Sequence, residues 1–348
     1  MRRGPGAVKL IIQIPCLNEE ETLPQTLVDL PRQIPGIDKV EILIIDDGSS
    51  DRTVEVARRF GVHHIVRNGT NRGLARSFSR GIEEALRQGA DIIVNTDGDN
   101  QYRGADIAKL VAPIVAGEAD IVIGDRQTQA IAHFSRGKKL LQRLGSYAVS
   151  TLAGTRVPDA VSGFRAISRE AAIKTNIVSP FSYTIETVLQ AGRRKMTIRS
   201  VPVATNAKTR ESRLFTNIPN FVTRQLKTLL QMYVMYSPLR AFSSLGLGLA
   251  LVGIAPILRF VWFYATGDGS GHLQSLVLGG VLCVMSFIAF AAGLLADVVS
   301  RNRQLLEITL EKVRRIELAQ GGQGNAVENT GIGDDDGSET PISLSARS

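Results

Sequence analysis

Three short stretches of this chain place acidic residues directly after apolar runs. The plainest is ADIIVNTDGDNQY, Ala90 to Tyr102, where Ile92, Ile93 and Val94 give way to Asp97 and Asp99, with Gln101 on the same alternation. Carboxylates one residue apart repel each other unless a cation or a retained proton relieves them. Asp, Gly and Asn also build solvated turns, so the choice here lies between a turn and a divalent-metal site. A second stretch, DDGSSDRT from Asp46, joins a strand end to a helix. Ser50 or Asp51 can cap that helix, but capping leaves the adjacent Asp46 and Asp47 unexplained. Paired carboxylates at a strand end suit hydrogen bonding to a ribose diol or a base edge. The third stretch, PCLNEE, fits Pro15 ending a strand and Asn18 capping a helix, and alone says little.

These clusters need a scaffold, and the surrounding sequence supplies one. From Val8 to about Asp125, short apolar runs alternate with helical segments. KLIIQI, VEILIID, HHIV, DIIVNT and DIVIG read as strands. Glu20 to Leu30, Thr53 to Phe60, Leu74 to Arg87 and Ile107 to Val115 read as helices. Near-continuous β-branched runs separated by helices predict an α/β fold with a mostly parallel, Rossmann-like sheet flanked by helices. Ligands bind such sheets beyond the carboxyl ends of the strands. PCLNEE follows the first strand, DDGSSD the second and DGD the fourth, so all three acidic clusters fall at that edge.

The 348 residues leave room for more than one structural unit. Lys and Arg number 41 against 33 Asp and Glu, a basic balance that suits nucleic acid, an anionic membrane surface or phosphorylated substrates. There is no zinc spacing and no RNA-reading aromatic motif, and aromatics make up only 5%, which disfavours nucleic acid. Cys16 and Cys283 are far apart, so a disulfide framework is not expected. MRRGPGAVKLIIQIP has too short an apolar stretch for a signal peptide and reads as a first strand, which predicts a cytoplasmic N-terminal part. His63, His64 and His133 lack ligand spacing and read as structural.

Beyond Ser212 the pattern changes. Phe215, Ile218, Val222, Leu226, Leu229 and Tyr233 recur every three or four positions, with Arg224, Gln225, Lys227 and Thr228 on the other side. That describes an amphipathic helix, either packed on a core or lying on a bilayer. Ala241 to Ala265 and Leu273 to Val299 are almost wholly apolar, and each exceeds the ~20 residues that a spanning helix needs. The loop between them, TGDGSGH, has no Lys or Arg, whereas Arg240 precedes the first span and Arg301 and Arg303 follow the second. The positive-inside rule then places both flanks in the cytoplasm. The chain divides into a catalytic unit (1–214), an interfacial helix (215–238), a two-helix transmembrane hairpin (239–300), a cytoplasmic helix (301–319) and a disordered tail (320–348).

Taken together, PCLNEEETL, IIDDGSSDRT, NRGLARSFSRG, NTDGDNQY and DAVSGFRAISRE resemble, in order and spacing, the family-two glycosyltransferases of the GT-A fold. The two spans narrow the resemblance to the polyprenyl-phosphate glycosyltransferases, relatives of dolichyl-phosphate mannose synthase. It covers roughly residues 8 to 215 by motif and the spans by architecture. The resemblance implies that Asp97, Asp99 and Gln101 bind Mg²⁺ or Mn²⁺ on a nucleotide sugar's diphosphate, and that Pro15, Asn18, Glu19, Asp46 and Asp47 hold the nucleoside. Gly98 stands where the family often has Ala. Arg126 matches a phosphate-contacting Arg, and Lys138, Lys139 and Arg143 fall where the acceptor's phosphate binds. For any one of that trio, a solvated helix face is the simpler account. Asp159, Ser162, Gly163, Phe164 and Arg165 match an element lining the donor sugar. Lys208, Arg210, Ser212 and Arg213 resemble the family's mobile basic loop, with Arg213 in place of its closing Lys.

The activity implied is inverting transfer of one hexose from GDP- or UDP-sugar to polyprenyl phosphate at the cytoplasmic membrane face, by a protein that can self-associate. Two rivals are weighed. A processive polysaccharide synthase would carry a Gln-x-x-Arg-Trp element, but the only tryptophan, Trp262, lies inside a span. A silent scaffold that merely binds nucleotide sugars leaves the full acidic set without a purpose.

Overall fold

A computed structural model of the chain describes residues 7–127, 136–178, 183–206, 227, 230–231, 233–267 and 271–328. Strands β1 (Lys9–Cys16), β2 (Lys39–Asp46), β3 (His64–Arg67), β4 (Ile92–Asn95), β5 (Ile121–Asp125), β6 (Arg165–Ser168) and β7 (Ile198–Pro202) form one sheet. Its order is β3-β2-β1-β4-β6-β5-β7, and only β6 runs antiparallel to its neighbours. Helices α1 (Leu23–Asp29), α2 (Thr53–Arg59), α3 (Leu74–Arg87), α4 (Ile107–Val115), α5 (Arg136–Ala153), α6 (Arg169–Lys174) and α7 (Tyr183–Arg193) accompany it. This is the mostly parallel α/β architecture that the apolar runs predict.

Alternation along β1 shows why both faces are covered. Leu10, Ile12 and Ile14 are fully buried on one side with Leu23 and Leu27 of α1 and Leu110 and Val111 of α4. Ile11 points the other way, into a layer with Phe78 and Ile82 of α3 and Val188 of α7. Successive side chains of a strand face opposite ways, so a run without polar breaks fills two layers at once. Chain order reverses between β1 and β4: β1 to β3 build outward in one direction, and β4 returns to the other flank of β1. Open α/β sheets bind ligands outside the strand ends at that switch point.

The opposite edge of the sheet is held by charge. Glu41 on β2 is 4% exposed and pairs with Lys39 at 2.8 Å, with Lys9 of β1 at 2.7 Å and with His64 of β3 at 2.7 Å. Burial works to raise its pKa, but hydrogen bonds from Lys39, Lys9 and His64 outweigh that and lower it to about 2. A carboxylate depressed in the folded state adds stability above its unfolded pKa, lost as pH falls through the folded one. Glu41→Gln is therefore expected to destabilise the protein by about 2 kcal/mol at neutral pH, after discounting for the exposed Lys39. The gap between variant and parent should close between pH 4.5 and about 2. Denaturant unfolding at several pH values measures this, and a pH-independent difference would assign the effect to packing instead.

Two further helices, α8 (Pro238–Ala265) and α9 (Leu273–Glu328), are long and apolar enough to cross a membrane, each with an 18-residue stretch whose mean hydropathy is 2.0 and 2.3 respectively. Only 11% of each apolar window is buried, unlike the core helix of a soluble domain. The sequence divides the second span from a cytoplasmic helix and a tail from 320, whereas the structure runs as one helix of 56 residues from Leu273 to Glu328; the rest of the expected tail lies outside the described residues. No proline interrupts it, and Arg, Glu and Leu past the span all favour helix. The interfacial helix expected over 215–238 lies mostly outside the described residues; positions 227, 230–231 and 233–236 are helical.

Candidate active site

The switch point between β1 and β4 gathers the acidic stretches. After β1, Asn18 adopts a left-handed φ of 54°, a conformation Asn tolerates better than most residues. Its Oδ1 accepts from the Ser50 amide at 2.9 Å, while its own amide donates to Ser49 Oγ at 2.9 Å. The Glu19 amide donates to Thr53 Oγ1 at 2.9 Å. Thus PCLNEE and DDGSSD form one knot across the ends of adjacent strands. Asp51 fastens it, accepting from the amides of Glu20 and Thr53, each at 3.0 Å. The hydroxyls of Thr22 and Thr26 both donate to the Gly98 carbonyl at 3.0 Å, and this fixes the Asp-Gly-Asp turn against α1.

Asp46 and Asp47 are buried and already partnered. Asp46 accepts from the Ser49 amide at 3.0 Å and from Arg67 Nε at 3.1 Å. Asp47 Oδ1 accepts from Asn68 Nδ2 at 2.7 Å and from the Arg72 amide at 2.9 Å, and its Oδ2 from the Gly73 amide at 2.9 Å. Asp47 therefore organises the loop that leads into α3. Asn68 is a site-building residue that the sequence pattern does not single out.

Beneath the Asp-Gly-Asp turn lies a buried polar chain. Gln13 Nε2 donates to Asn95 Oδ1 at 2.9 Å, and Asn95 Nδ2 donates to the Gly163 carbonyl at 2.9 Å. This chain ties Ser-Gly-Phe-Arg to the end of β4. A β-carbon on Gly163 would stand 2.8 Å from the Tyr183 hydroxyl and 3.3 Å from Asp97 Oδ1, so only glycine lets that backbone approach the carboxylate. Arg165, expected to line a sugar pocket, is instead 0% exposed. It donates to the carbonyls of Ser162 and Thr184, supporting the site from underneath. Ser162 is likewise fully buried. Tyr183, stacked on Phe78 with ring centroids 4.2 Å apart, walls this region and escaped the sequence pattern; a tyrosine between apolar helical positions reads as ordinary core.

Arg126 follows β5 and pairs with Asp159 rather than with its neighbour Asp125. Its Nε donates to Asp159 Oδ2 at 2.7 Å and its Nη2 to Asp159 Oδ1 at 2.9 Å. One edge of the guanidinium fork is thereby committed, and a ligand can meet only the remaining Nη1 edge.

The electrostatics of the turn decide between a solvated loop and a cation site. The pKa of Asp97 is pushed up to about 7, by burial first and then by Asp99 and Glu19, with Arg126 and Arg165 opposing. The Cys16 thiol is pushed well up by burial and then by Glu19, Asp46, Asp97 and Asp51, so several negative charges converge on one region. A divalent cation relieves that repulsion. Among the described residues no three His, Cys, Asp or Glu side chains form a metal site by themselves. Two carboxylates and Gln101, completed by phosphate oxygens of a ligand, are the hard donor set that Mg²⁺ or Mn²⁺ accepts.

The segment after β7 closes this side of the site. The Asn206 amide donates to the Gln101 carbonyl at 2.9 Å and its Nδ2 to the Asn100 carbonyl at 3.0 Å. Lys208, Arg210, Ser212 and Arg213 lie just beyond, outside the described residues, as does His133. Helix α5 carries Lys138, Lys139 and Arg143, whose side chains lie outside them too.

Comparison with known proteins adds the following. The family model described as glycosyl transferase family 2 matches residues 11–175. Glycosyltransferase AglJ of Haloferax volcanii is 27% identical over 328 residues, covering 90% of this chain and 98% of that protein. Polyprenol monophosphomannose synthase of Mycolicibacterium smegmatis is 24% identical over 206 residues, covering 56% of this chain and 76% of its own length. The crystal structure of glucosyl-3-phosphoglycerate synthase from Mycobacterium tuberculosis in complex with uridine diphosphate superposes with a TM-score of 0.51 at 21% identity. It covers 64% of this chain and 79% of that one, a likeness of fold.

Proposed function

The chain belongs to glycosyl transferase family 2, and from that footing we propose that it moves one sugar from a nucleotide sugar to a polyprenyl phosphate at the cytoplasmic membrane face. The observation that carries this reading is how the sheet domain is fastened to the apolar helices. Past its apolar segment, α9 docks on α6 and α7: Arg303 meets the fully buried Glu186 at 3.0 Å and Arg315 meets Glu170 at 2.8 Å. Arg314 donates to the Thr175 carbonyl at 2.9 Å. A water-soluble acceptor needs no such tether, whereas a lipid phosphate must be met at the depth of the head groups. The similarity to a named polyprenol monophosphomannose synthase supports the same acceptor class.

In this reading the nucleoside sits over the knot made by Asn18, Glu19, Asp46 and Asp47, with Pro15 in the last pleat of β1 beneath it. The sugar lies above Gly163, where Asp159 and the Tyr183 wall define its space. A cation held by Asp97, Asp99 and Gln101 would neutralise charge on the departing diphosphate. An oxygen of the lipid phosphate attacks the anomeric carbon, the bond from that carbon to the diphosphate oxygen breaks, and configuration inverts. A phosphate monoester has a second pKa near ~6 and is already largely ionised at neutral pH, so no general base is needed. His64 is in any case paired with Glu41 at the far edge of the sheet. Arg126 presents its uncommitted edge to the incoming phosphate, with Lys138, Arg143, Arg210 and Arg213 adding positive charge.

Membranes containing the protein, offered short-chain polyprenyl phosphate and a panel of labelled GDP- and UDP-sugars, should place label in the lipid phase with one donor. Label appearing in a glycolipid or polymer independently of added polyprenyl phosphate would replace the acceptor assignment.

A further inference from the structure

Past its apolar segment, α9 has the opposite of the usual amphipathic arrangement. Apart from Leu318, which packs on the core, the residues that touch the sheet domain are charged: Arg303, Glu307, Glu311, Arg314 and Arg315 all form ion pairs or hydrogen bonds. The other large apolar residues face outward, with Leu306 70% exposed, Ile316 57% and Val313 43%. They form a seam. Val299, Leu306 and Val313 recur every seventh residue, and Leu295, Asn302, Thr309 and Ile316 form a second seven-residue series, offset alternately by three and four. That is the core spacing of a coiled coil. At ~100° per residue the seam lies roughly opposite the docked charges. It also lies away from Gly279 and Ser286, which face α8.

The bilayer does not reach the far half of this face. Val313 lies well past Asp297, the first charge after the apolar run, and at ~1.5 Å per residue the separation is about 24 Å. The head-group layer is only about 5–8 Å deep. A helix unbroken by proline curves gently rather than turning back along the membrane.

We propose that a second copy of this chain covers the seam, the two α9 helices forming a parallel coiled coil from Leu295 to Ile316. Copies inserted alike in one membrane run parallel of necessity. In a parallel pair, the residue before one core position faces the residue five further on in the other helix. Here those are Lys312 and Glu317, which are exposed and make no ion pair among the described residues, so association creates two symmetric salt bridges. Seven residues earlier the same positions are Leu305, 62% exposed, and Leu310, 39% exposed, which extend the apolar contact. The Thr309 hydroxyl is already satisfied by the Leu305 carbonyl at 3.0 Å, and Asn302 can hydrogen-bond its twin across the axis.

The test uses the full chain in native membranes with Cys283 replaced by Ala. Val313→Cys should oxidise to a disulfide-linked dimer at least roughly tenfold more than Gln304→Cys on the opposite side of the helix, because only facing positions reach bonding geometry. Lys312→Glu should weaken that cross-link, and Glu317→Lys added to it should restore the yield. Equal yields at 304 and 313, or none at 313, would overturn the proposal. So would shielding of an unlinked cysteine at 313 from a water-soluble maleimide, which would give the seam to lipid. Retained sugar transfer by each variant shows that it is folded.

Discussion

Asp97→Asn should reduce transfer by at least about a thousandfold, equivalent to ~4 kcal/mol of transition-state stabilisation, while making the metal-free protein more stable at alkaline pH. The first effect follows from removing a charge that would hold the cation on the leaving diphosphate. The second follows from the raised pKa of about 7, against an ordinary value of 3.8. A carboxylate whose folded pKa lies above its unfolded one favours folding while protonated, and that contribution is lost as pH rises through the folded value. The parent protein without metal should therefore weaken from about pH 4 to beyond pH 7, and the amide variant should not. Added Mg²⁺ or Mn²⁺ should raise the melting temperature of the parent alone. Full turnover by the parent in chelator, or a flat stability profile from pH 5 to 8, would remove the cation from the site.

The Arg126–Asp159 pair supports the second large effect. Arg126→Lys keeps a charge but loses the planar fork that grips Asp159 through two bonds. Asp159→Asn keeps the size of the partner but loses the charge that orients the fork. Each is expected to raise the apparent KM for the lipid phosphate by about 10- to 100-fold, the scale of ~1–3 kcal/mol for a hydrogen bond to a charged group. Donor binding without lipid should change little. Because the residues act as one unit, the double variant should be little worse than either single one. Additive losses would mean separate roles. A fall in donor affinity with the lipid constant unchanged would move Arg126 to the diphosphate, leaving the acceptor to the basic residues of α5.

Strands β1, β2, β4 and β5 were legible because their Ile, Leu and Val runs are buried on both faces, and the acidic stretches begin where β1, β2 and β4 end. Strand β6 was not. It is only four residues long, and its first is Arg165, which pattern reasoning counts as exposed. The structure instead buries that guanidinium completely and satisfies it with backbone carbonyls, something spacing cannot reveal. Asp47 was legible as a residue that matters but not in what it does, since its three hydrogen bonds to the loop over 68–73 depend on a fold that brings that loop back. The continuity of α9 was obscured by the change from apolar to charged residues after Val299. That change alters the surroundings of a helix without ending it.

The insertion of β6 between β4 and β5 has a consequence in time. Its partner Asn95 contacts Gly163 across 68 residues of sequence, so β4 and β5 are synthesised long before the strand that joins them. Such non-local pairing is slow, because the intervening loop must close before any contact rewards it. Until then, the Asp-Gly-Asp turn at the end of β4 lacks the Gly163 backbone that abuts it, and the edges of β4 and β5 that β6 fills stand open. The Glu186–Arg303 contact closes over a longer gap still, 117 residues, and forms only after both spans have been made. A nascent chain thus assembles in order: the first strands of the sheet, then the Gly163 contact with β4, then the brace to α9. A ribosome that stalls between Asp125 and Arg165 leaves the open β4 and β5 edges as the place where aggregation starts.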